Sequence, residues 1–288
     1  MAKSRSRPSG SDRPDDAVDV VVDRVCASRK YRSVHPDTVR DIVVGQVACA
    51  QDGADLERLA RLRLHRAAAY YLSSAAPAAL LADLAAGRLD GASDDDVRAW
   101  CRRAMATHVS AAERLPDLEA FYPTLLQLMG AVSSMADLAC ALNVLTLPWL
   151  REQCPTPYVG YDFNLEVIAL GRRFAEIVDG GARMVHADVL VNPAMVAEDA
   201  ALLLKTYHCL EARERGGGLR LVESLAARVV VVSLPTRTRS GRPLGFRGSP
   251  GEQLGRRAGE LGWTIRKATL PTEELWAIFK RPVDAPER

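Results

Sequence analysis

The chain has 288 residues, of which 48% are hydrophobic and 26% charged, a composition typical of a globular protein with one large domain or two modest ones. Its 38 basic and 36 acidic residues leave a net charge of +2, so any binding of a polyanion must depend on local clusters, not on overall charge. The six cysteines form no CxxC pair, the five histidines show no metal spacing, and there is neither a signal peptide nor a long apolar run. We therefore expect a cytoplasmic protein with reduced thiols, no metal site and no contact with a membrane.

The first half of the chain is predicted to be helical. Residues 1–17 are rich in Ser, Arg, Pro and Asp and form a predicted disordered tail. Between residues 18 and 130 Ala, Leu and Arg dominate, and breaks such as those at Pro77 and Pro116 divide a helical domain of four or five helices. Ser93, followed by three aspartates, is typical of a helix start, because its hydroxyl can cap free amides and the acids suit the positive end of the helix dipole.

From Val132 short apolar runs alternate with helical patterns, which predicts an α/β domain over residues 131–282 and a tail over 283–288. The predicted strands are 135–139, 158–162, 183–187, 200–205, 228–234, 264–268 and 275–280, and the predicted helices are about 147–153, 164–178, 219–226 and 251–261. The last two strands leave no room for a helix between them, so we expect an antiparallel pair at the edge of a mostly parallel sheet. Five parallel strands followed by such a pair are the plan of a class I, Rossmann-like methyltransferase.

Polar or small residues stand at the carboxyl ends of four successive predicted strands, where open α/β sheets bind ligands. They are Asp137, Ala139, Ala141 and Asn143 after the first strand, Asp162 at the second, Asp188 after the third and Lys205 at the fourth. Asp162 can accept hydrogen bonds from both ribose hydroxyls, and Asp188 can reach an adenine amine.

The loop over residues 137–143 favours one class of nucleoside cofactor. It contains no GxGxxG, so a pyrophosphate would have no cradle, which disfavours a dehydrogenase and favours S-adenosylmethionine. Ala141 stands where such loops usually have glycine. That residue is tolerable only if the backbone does not need a positive φ.

Three clusters of basic residues can contact a polyanion. Their members are Arg29, Lys30 and Arg32; Arg58, Arg61, Arg63 and Arg66 on one helix; and Arg237, Arg239, Arg242 and Arg247, with Phe246, in a loop after the fifth strand. A basic helix face is ordinarily just solvated. The arginine loop is more informative, because it leaves the sheet on the predicted cofactor side and arginine binds phosphate and stacks on bases.

Several segments together resemble the aminoglycoside-resistance 16S rRNA (guanine-1405 N7) methyltransferases, over about residues 25–279. The segments are 28–39, 105–115, 137–143, 202–206 with 209–211, 233–237 and 274–275. The resemblance implies a helical domain that docks on the 30S subunit and a domain that binds S-adenosylmethionine and methylates 16S rRNA. We expect such a protein to act as a monomer.

The resemblance also implies roles for single residues. Asp162 would hold the ribose and Asp188 the adenine, while Lys205 and Glu274 match positions near the active site and are the candidate catalytic residues. Among the basic residues, Arg29, Lys30, Arg61 and Arg66 would contact rRNA. Guanine N7 has a lone pair and no proton, so the reaction requires positioning and no general base.

Two departures from the family pattern leave alternatives open. The family usually has CGLNP where this chain has residues 140–144 as Cys-Ala-Leu-Asn-Val, and Lys-Gly-Met where residues 244–246 are Leu-Gly-Phe. These changes bear on methylation efficiency and target choice more than on the fold. One alternative is the same fold with another RNA base or a small molecule as acceptor. Another is a degenerate homologue that binds RNA without methylating it.

Overall fold

The structure is a computed structural model that describes residues 14–72, 76–178, 180–236 and 250–280. The predicted tail over 283–288 and residues 1–13 of the one over 1–17 lie outside these residues, and so does the arginine loop with Arg237, Arg239, Arg242, Phe246 and Arg247. The prediction of a tail up to residue 17 was wrong for its last four residues, because a helix begins at Pro14. In the described part of the chain, no helix is long and apolar enough to cross a membrane.

Seven helices precede the sheet in the described residues. They are α1 Pro14–Cys26, α2 Pro36–Val44, α3 Gly53–Leu72, α4 Ala76–Ala85, α5 Asp94–Met105, α6 Val109–Arg114 and α7 Leu118–Met129. The predicted helix start at Ser93 is confirmed, since its side chain accepts a hydrogen bond from the Asp96 amide at the beginning of α5. The number exceeds the four or five expected, because α2 and α6 are too short to show a helical period clearly.

These helices are divided between two cores. Helices α1 to α3, hereafter the three-helix unit, close on a core of their own that includes Val25, Val39 and Leu64. The next four helices instead contribute residues such as Trp100 and Phe121 to a core on one face of the sheet. The predicted helical domain over residues 18–130 thus consists of a separate unit and of helices that complete the α/β domain.

The α/β domain is built on a seven-stranded sheet in the order β3-β2-β1-β4-β5-β7-β6. The strands are β1 Met135–Leu138, β2 Tyr158–Asp162, β3 Arg183–His186, β4 Ala200–Leu204, β5 Val229–Pro235, β6 Thr264–Thr269 and β7 Glu273–Phe279. The helices among them are α8 Leu147–Gln153, α9 Leu165–Val178, α10 Tyr207–Arg213, α11 Gly217–Ser224 and α12 Pro250–Glu260.

The predicted fold class is confirmed by the strand directions. The first five strands are parallel, and β7 pairs antiparallel with both β5 and β6. In β5, Val229 and Val231 face one core while Val230 and Val232 face the other, as expected for a strand covered on both sides. The carboxyl ends of the parallel strands and the start of β7 therefore meet at one edge of the sheet.

Candidate functional site

At this edge the chain leaves β1 and β4 in backbone conformations that L-residues avoid. Ala139, Ala141 and Lys205 have φ angles of 51°, 46° and 58°, and they are the non-glycine residues with positive φ in the described part of the chain. A left-handed conformation costs such a residue about 1–2 kcal/mol, and strain of this kind clusters at functional sites. Alanine was expected to be tolerable at position 141 only if the backbone did not need a positive φ, and the backbone there has one.

A cavity of about 900 Å³, including the space at its mouth, opens beside these residues. We call it the main cavity. Its apolar walls include Leu142, Phe163 and Leu210, and the carboxylates of Asp162 and Asp188 lie in its lining. Its size and composition suit a nucleoside with an attached amino-acid chain.

The carboxylate of Asp162 is fixed by backbone amides. Oδ2 accepts from the Ala141 N–H at 3.0 Å, and Oδ1 accepts from the Asn164 N–H at 2.8 Å. Burial raises the pKa of Asp162 to about 6. The ionised group can also accept hydrogen bonds from ribose hydroxyls.

The carboxylate of Asp188 joins the main cavity to the three-helix unit. Oδ2 accepts from the Thr38 hydroxyl at 2.6 Å and from Nη1 of Arg213, while Oδ1 accepts from the Leu190 N–H at 3.0 Å. Arg213, at the end of α10, also donates through Nη2 to Asp41 Oδ2 at 2.7 Å. Both Thr38 and Asp41 belong to α2, so a predicted cofactor residue is held by the unit that was expected only to dock on RNA.

A second connection joins the three-helix unit to the chain just after Asp162. Val34 and Asn164 form an antiparallel bridge. The flanking hydrogen bonds run from the His35 N–H to the Phe163 carbonyl at 2.8 Å and from the Leu165 N–H to the Ser33 carbonyl at 2.7 Å. The three-helix unit is therefore bonded directly to the segment that lines the main cavity.

A smaller cavity of about 330 Å³ adjoins the main cavity at the ends of β1 and β4. Ala139, Ala141, His108 and Thr206 line both cavities, while Lys205, Asn143, Ser110 and Arg114 line only the smaller. The Lys205 side chain is 4% exposed and donates from Nζ to Glu113 Oε2 at 2.8 Å. Burial lowers the pKa of His108. The smaller cavity is where a group reacting with a ligand in the main cavity can enter.

Arg114, which lines the smaller cavity, belongs to a buried ion pair. Arg114 donates from Nε to Glu273 Oε1 at 2.8 Å, from Nη2 to Oε2 at 3.1 Å, and from Nη1 to Asn143 Oδ1 at 2.7 Å. The two charged side chains are 1% and 0% exposed. Although burial raises the pKa of Glu273, the Arg114 guanidinium holds it below its usual value. Asn143, a predicted cofactor residue, is thereby fixed at the cavity wall.

The structure places two predicted site residues elsewhere. Asp137 lines neither cavity; it is 1% exposed, accepts from the Tyr158 hydroxyl at 2.9 Å, and burial raises its pKa to about 7. Glu274 lies on the opposite face of β7 from Glu273 and accepts from the Trp276 indole N–H at 2.6 Å. Neighbouring residues of a strand point to opposite faces, so Glu274 points away from Arg114 of the smaller cavity, with which Glu273 pairs.

The seven residues of the three-helix unit that were predicted to contact a polyanion fall into two groups. Arg29, Arg32 and Arg66 are exposed and form no ion pair with any described residue, and Lys30 Nζ lies 3.0 Å from His65 Nδ1. We call Arg29, Lys30, Arg32 and Arg66 the basic face. The other three are engaged internally: Arg58 and Arg61 pair with Asp55 and Glu57, and Arg63 donates to the Arg213 carbonyl.

Comparisons with known proteins agree with this geometry. The sequence model of the family described as ribosomal RNA methyltransferase (FmrO) matches residues 27–278. The chain is 32% identical over 270 residues to a 16S rRNA (guanine(1405)-N(7))-methyltransferase of Micromonospora echinospora, which covers 93% of this chain and 98% of that protein. The fold is similar to that of the 16S rRNA methylase RmtB, with a TM-score of 0.72, 28% identity and coverage of 92% and 98% of the two chains. It is also similar to the 16S rRNA methyltransferase RmtF in complex with S-adenosyl-L-homocysteine, with a TM-score of 0.69, 26% identity and coverage of 93% and 99%.

Proposed function

The chain belongs to the FmrO family of ribosomal RNA methyltransferases, and on that premise we propose that it methylates N7 of guanine 1405 in 16S rRNA of the 30S subunit. The observation that carries the proposal is the identity to a methyltransferase of that specificity over almost the whole of both chains. The cofactor is S-adenosylmethionine.

The main cavity suits this cofactor. S-adenosylmethionine supplies an electrophilic methyl group on a sulfonium and carries no phosphate, which matches a lining with two carboxylates and no glycine-rich cradle. Asp162 would accept from the ribose and Asp188 from the adenine amine. Ala139 and Ala141, which line both cavities, would flank the methionine part, so that the methyl group faces the smaller cavity.

Lys205 is the residue best placed to hold the target base. Guanine presents O6 beside N7, both as acceptors. With one of its three donors on Glu113, the Lys205 ammonium can give a second to O6 and hold N7 toward the methyl group. Methyl transfer leaves N7 positively charged, and the Glu113 carboxylate, which is bonded to Lys205, would help to compensate that charge. No general base is needed, so catalysis consists of positioning, which can contribute on the order of 7–11 kcal/mol.

The basic face would bind rRNA phosphates and orient the subunit, together with the arginine loop. We also propose that the protein works as a monomer in the cytoplasm. A methyl group and a fixed positive charge at N7 would repel cationic aminoglycosides, so cells that express the protein should be resistant to them.

The test uses purified protein, labelled S-adenosylmethionine and 30S subunits, with the modified nucleotide mapped in the extracted rRNA. We expect one methyl group at guanine 1405 and loss of transfer in Lys205→Gln. Lys267→Gln, on the exposed edge strand β6, is the matched control and should retain full activity.

The alternatives predict other outcomes. Methylation of naked rRNA or a small molecule but not of 30S subunits would replace the proposed acceptor by another. No binding of S-adenosylmethionine at millimolar concentration would identify a homologue that only binds RNA.

A further inference from the structure

Arg213 has one donor that its interactions leave unused. Its side chain is 10% exposed and lies in the lining of the main cavity. Nη1 donates to Asp188 and Nη2 to Asp41, but the Nε–H is buried and has no hydrogen-bond partner among the described residues. A buried donor without an acceptor is costly and rare in native structures, so this atom requires an explanation.

The neighbouring carboxylate has a complementary vacancy. Oδ2 of Asp188 already accepts from Thr38 and Arg213, whereas Oδ1 accepts only from the Leu190 N–H. Since a carboxylate oxygen can accept two hydrogen bonds, Oδ1 retains one free lone pair. A free acceptor, Asp188 Oδ1, and a free donor, the Arg213 Nε–H, therefore belong to two residues that are bonded to each other and that both line the main cavity.

We propose that Arg213 is a cofactor-binding residue that recognises adenine. Its Nε–H donates to a ring nitrogen beside the exocyclic amine, while Asp188 Oδ1 accepts from the amine itself. Adenine carries such an acceptor next to its amine. A purine with an oxygen in place of the amine would set that oxygen against the carboxylate. The proposal rests on the proposed function for the identity of the cofactor.

The guanidinium is held in place before any ligand arrives. Its two Nη groups bind Asp188, which follows β3, and Asp41 of α2, and Arg63 of α3 donates to the Arg213 carbonyl. A purely structural link between these elements uses Nη1, Nη2 and the carbonyl, and gives no role to Nε. Pre-ordering of this kind lowers the entropy that binding must overcome.

Calorimetric titration compares S-adenosylhomocysteine with its 1-deaza and 7-deaza analogues, in each of which a C–H replaces one ring nitrogen. We expect the wild-type protein to bind one of the two analogues about ten- to a hundredfold more weakly, as for loss of a hydrogen bond to a charged group. Arg213→Lys keeps the positive charge but has a methylene at the position of Nε. It should bind S-adenosylhomocysteine more weakly and should not distinguish that analogue from it.

Asp41→Asn is the matched control, because it disturbs the other contact of Arg213 and should preserve the wild-type ratio of affinities. If Arg213→Lys does not fold, Arg213→Gln is judged by the same ratio. Equal binding of all three ligands by the wild-type protein overturns the proposal, and so does a wild-type ratio that persists in the variants. These measurements need no ribosome. Failure to methylate 30S subunits with the ratio intact would refute the proposed function alone.

Discussion

Replacing Ala141 by glycine should stabilise the protein. The φ of Ala141 is 46°, and its N–H donates to Asp162, a bond that glycine can keep. The left-handed conformation costs alanine about 1–2 kcal/mol, whereas glycine loses about 0.5–1 kcal/mol more on folding. The difference favours glycine by about 0.5–1 kcal/mol. For a chain of this size, 1 kcal/mol moves the midpoint of thermal unfolding by about 2–4 °C, so we expect a rise of about 1–4 °C.

Differential scanning calorimetry of the ligand-free protein measures this rise. Ala139→Gly should act in the same direction, since its φ is 51°. Ala169→Gly is the matched control, because Ala169 lies inside α9, where glycine lowers stability by about 1 kcal/mol. If Ala141→Gly unfolds at or below the wild-type temperature, as the control does, the strain assigned to this loop does not exist.

Four further measurements follow from the site. Arg114→Met should lower the free energy of unfolding, measured in urea, by about 3–5 kcal/mol, because it leaves the Glu273 carboxylate buried without its partner. The control Glu274→Gln, on the other face of β7, should change that free energy by less than about 1 kcal/mol. Equal losses in the two variants would contradict the buried ion pair. With the pKa of Asp162 at about 6, S-adenosylhomocysteine should bind more weakly as the pH falls through that value, since the protonated group accepts fewer hydrogen bonds, and Asp162→Asn should remove the dependence. Because this pKa is raised in the folded state, Asp162 should make the stability of the ligand-free protein fall as the pH rises through about 6. Thermal unfolding of the wild-type protein and of Asp162→Asn over this pH range measures the effect. Charge reversal of Arg32 and Arg66 should weaken 30S binding and leave the affinity for S-adenosylhomocysteine unchanged. The slope of log affinity against log salt concentration should fall by about one unit for each lost phosphate contact. An unaltered slope would show that the basic face does not contact the subunit.

The sheet could be predicted from the sequence because its strands are short apolar runs with local signals at both ends. The second strand was predicted with its observed bounds, and the run that contains Val229 is buried on both faces as expected. Helix α10 was missed, since it begins right after the strained Lys205 and has no side-chain cap to mark it. The start of β7 was placed two residues late, because a buried glutamate such as Glu273 is stable there only when a distant arginine neutralises it.

The part of the candidate site that could be predicted from the sequence consists of residues at the ends of strands. Asp162, Asp188 and Lys205 lie in the cavity linings, in positions that follow from parallel strands alone. Arg114 and Arg213 were not foreseen, because their partners are remote in the sequence: Glu273 is 159 residues from Arg114, and Asp41 is 172 residues from Arg213. Contacts over such separations depend on how the elements pack, which no local pattern records.

The bonds between the three-helix unit and the main cavity limit how this protein can be recombined with its relatives. A chimera that takes residues before α4 from another family member would lose the partners of Asn164, Asp188 and Arg213 unless the donor chain supplies equivalents. The three-helix unit is therefore not interchangeable between family members. Changes in ribosome recognition and in cofactor binding should be inherited together.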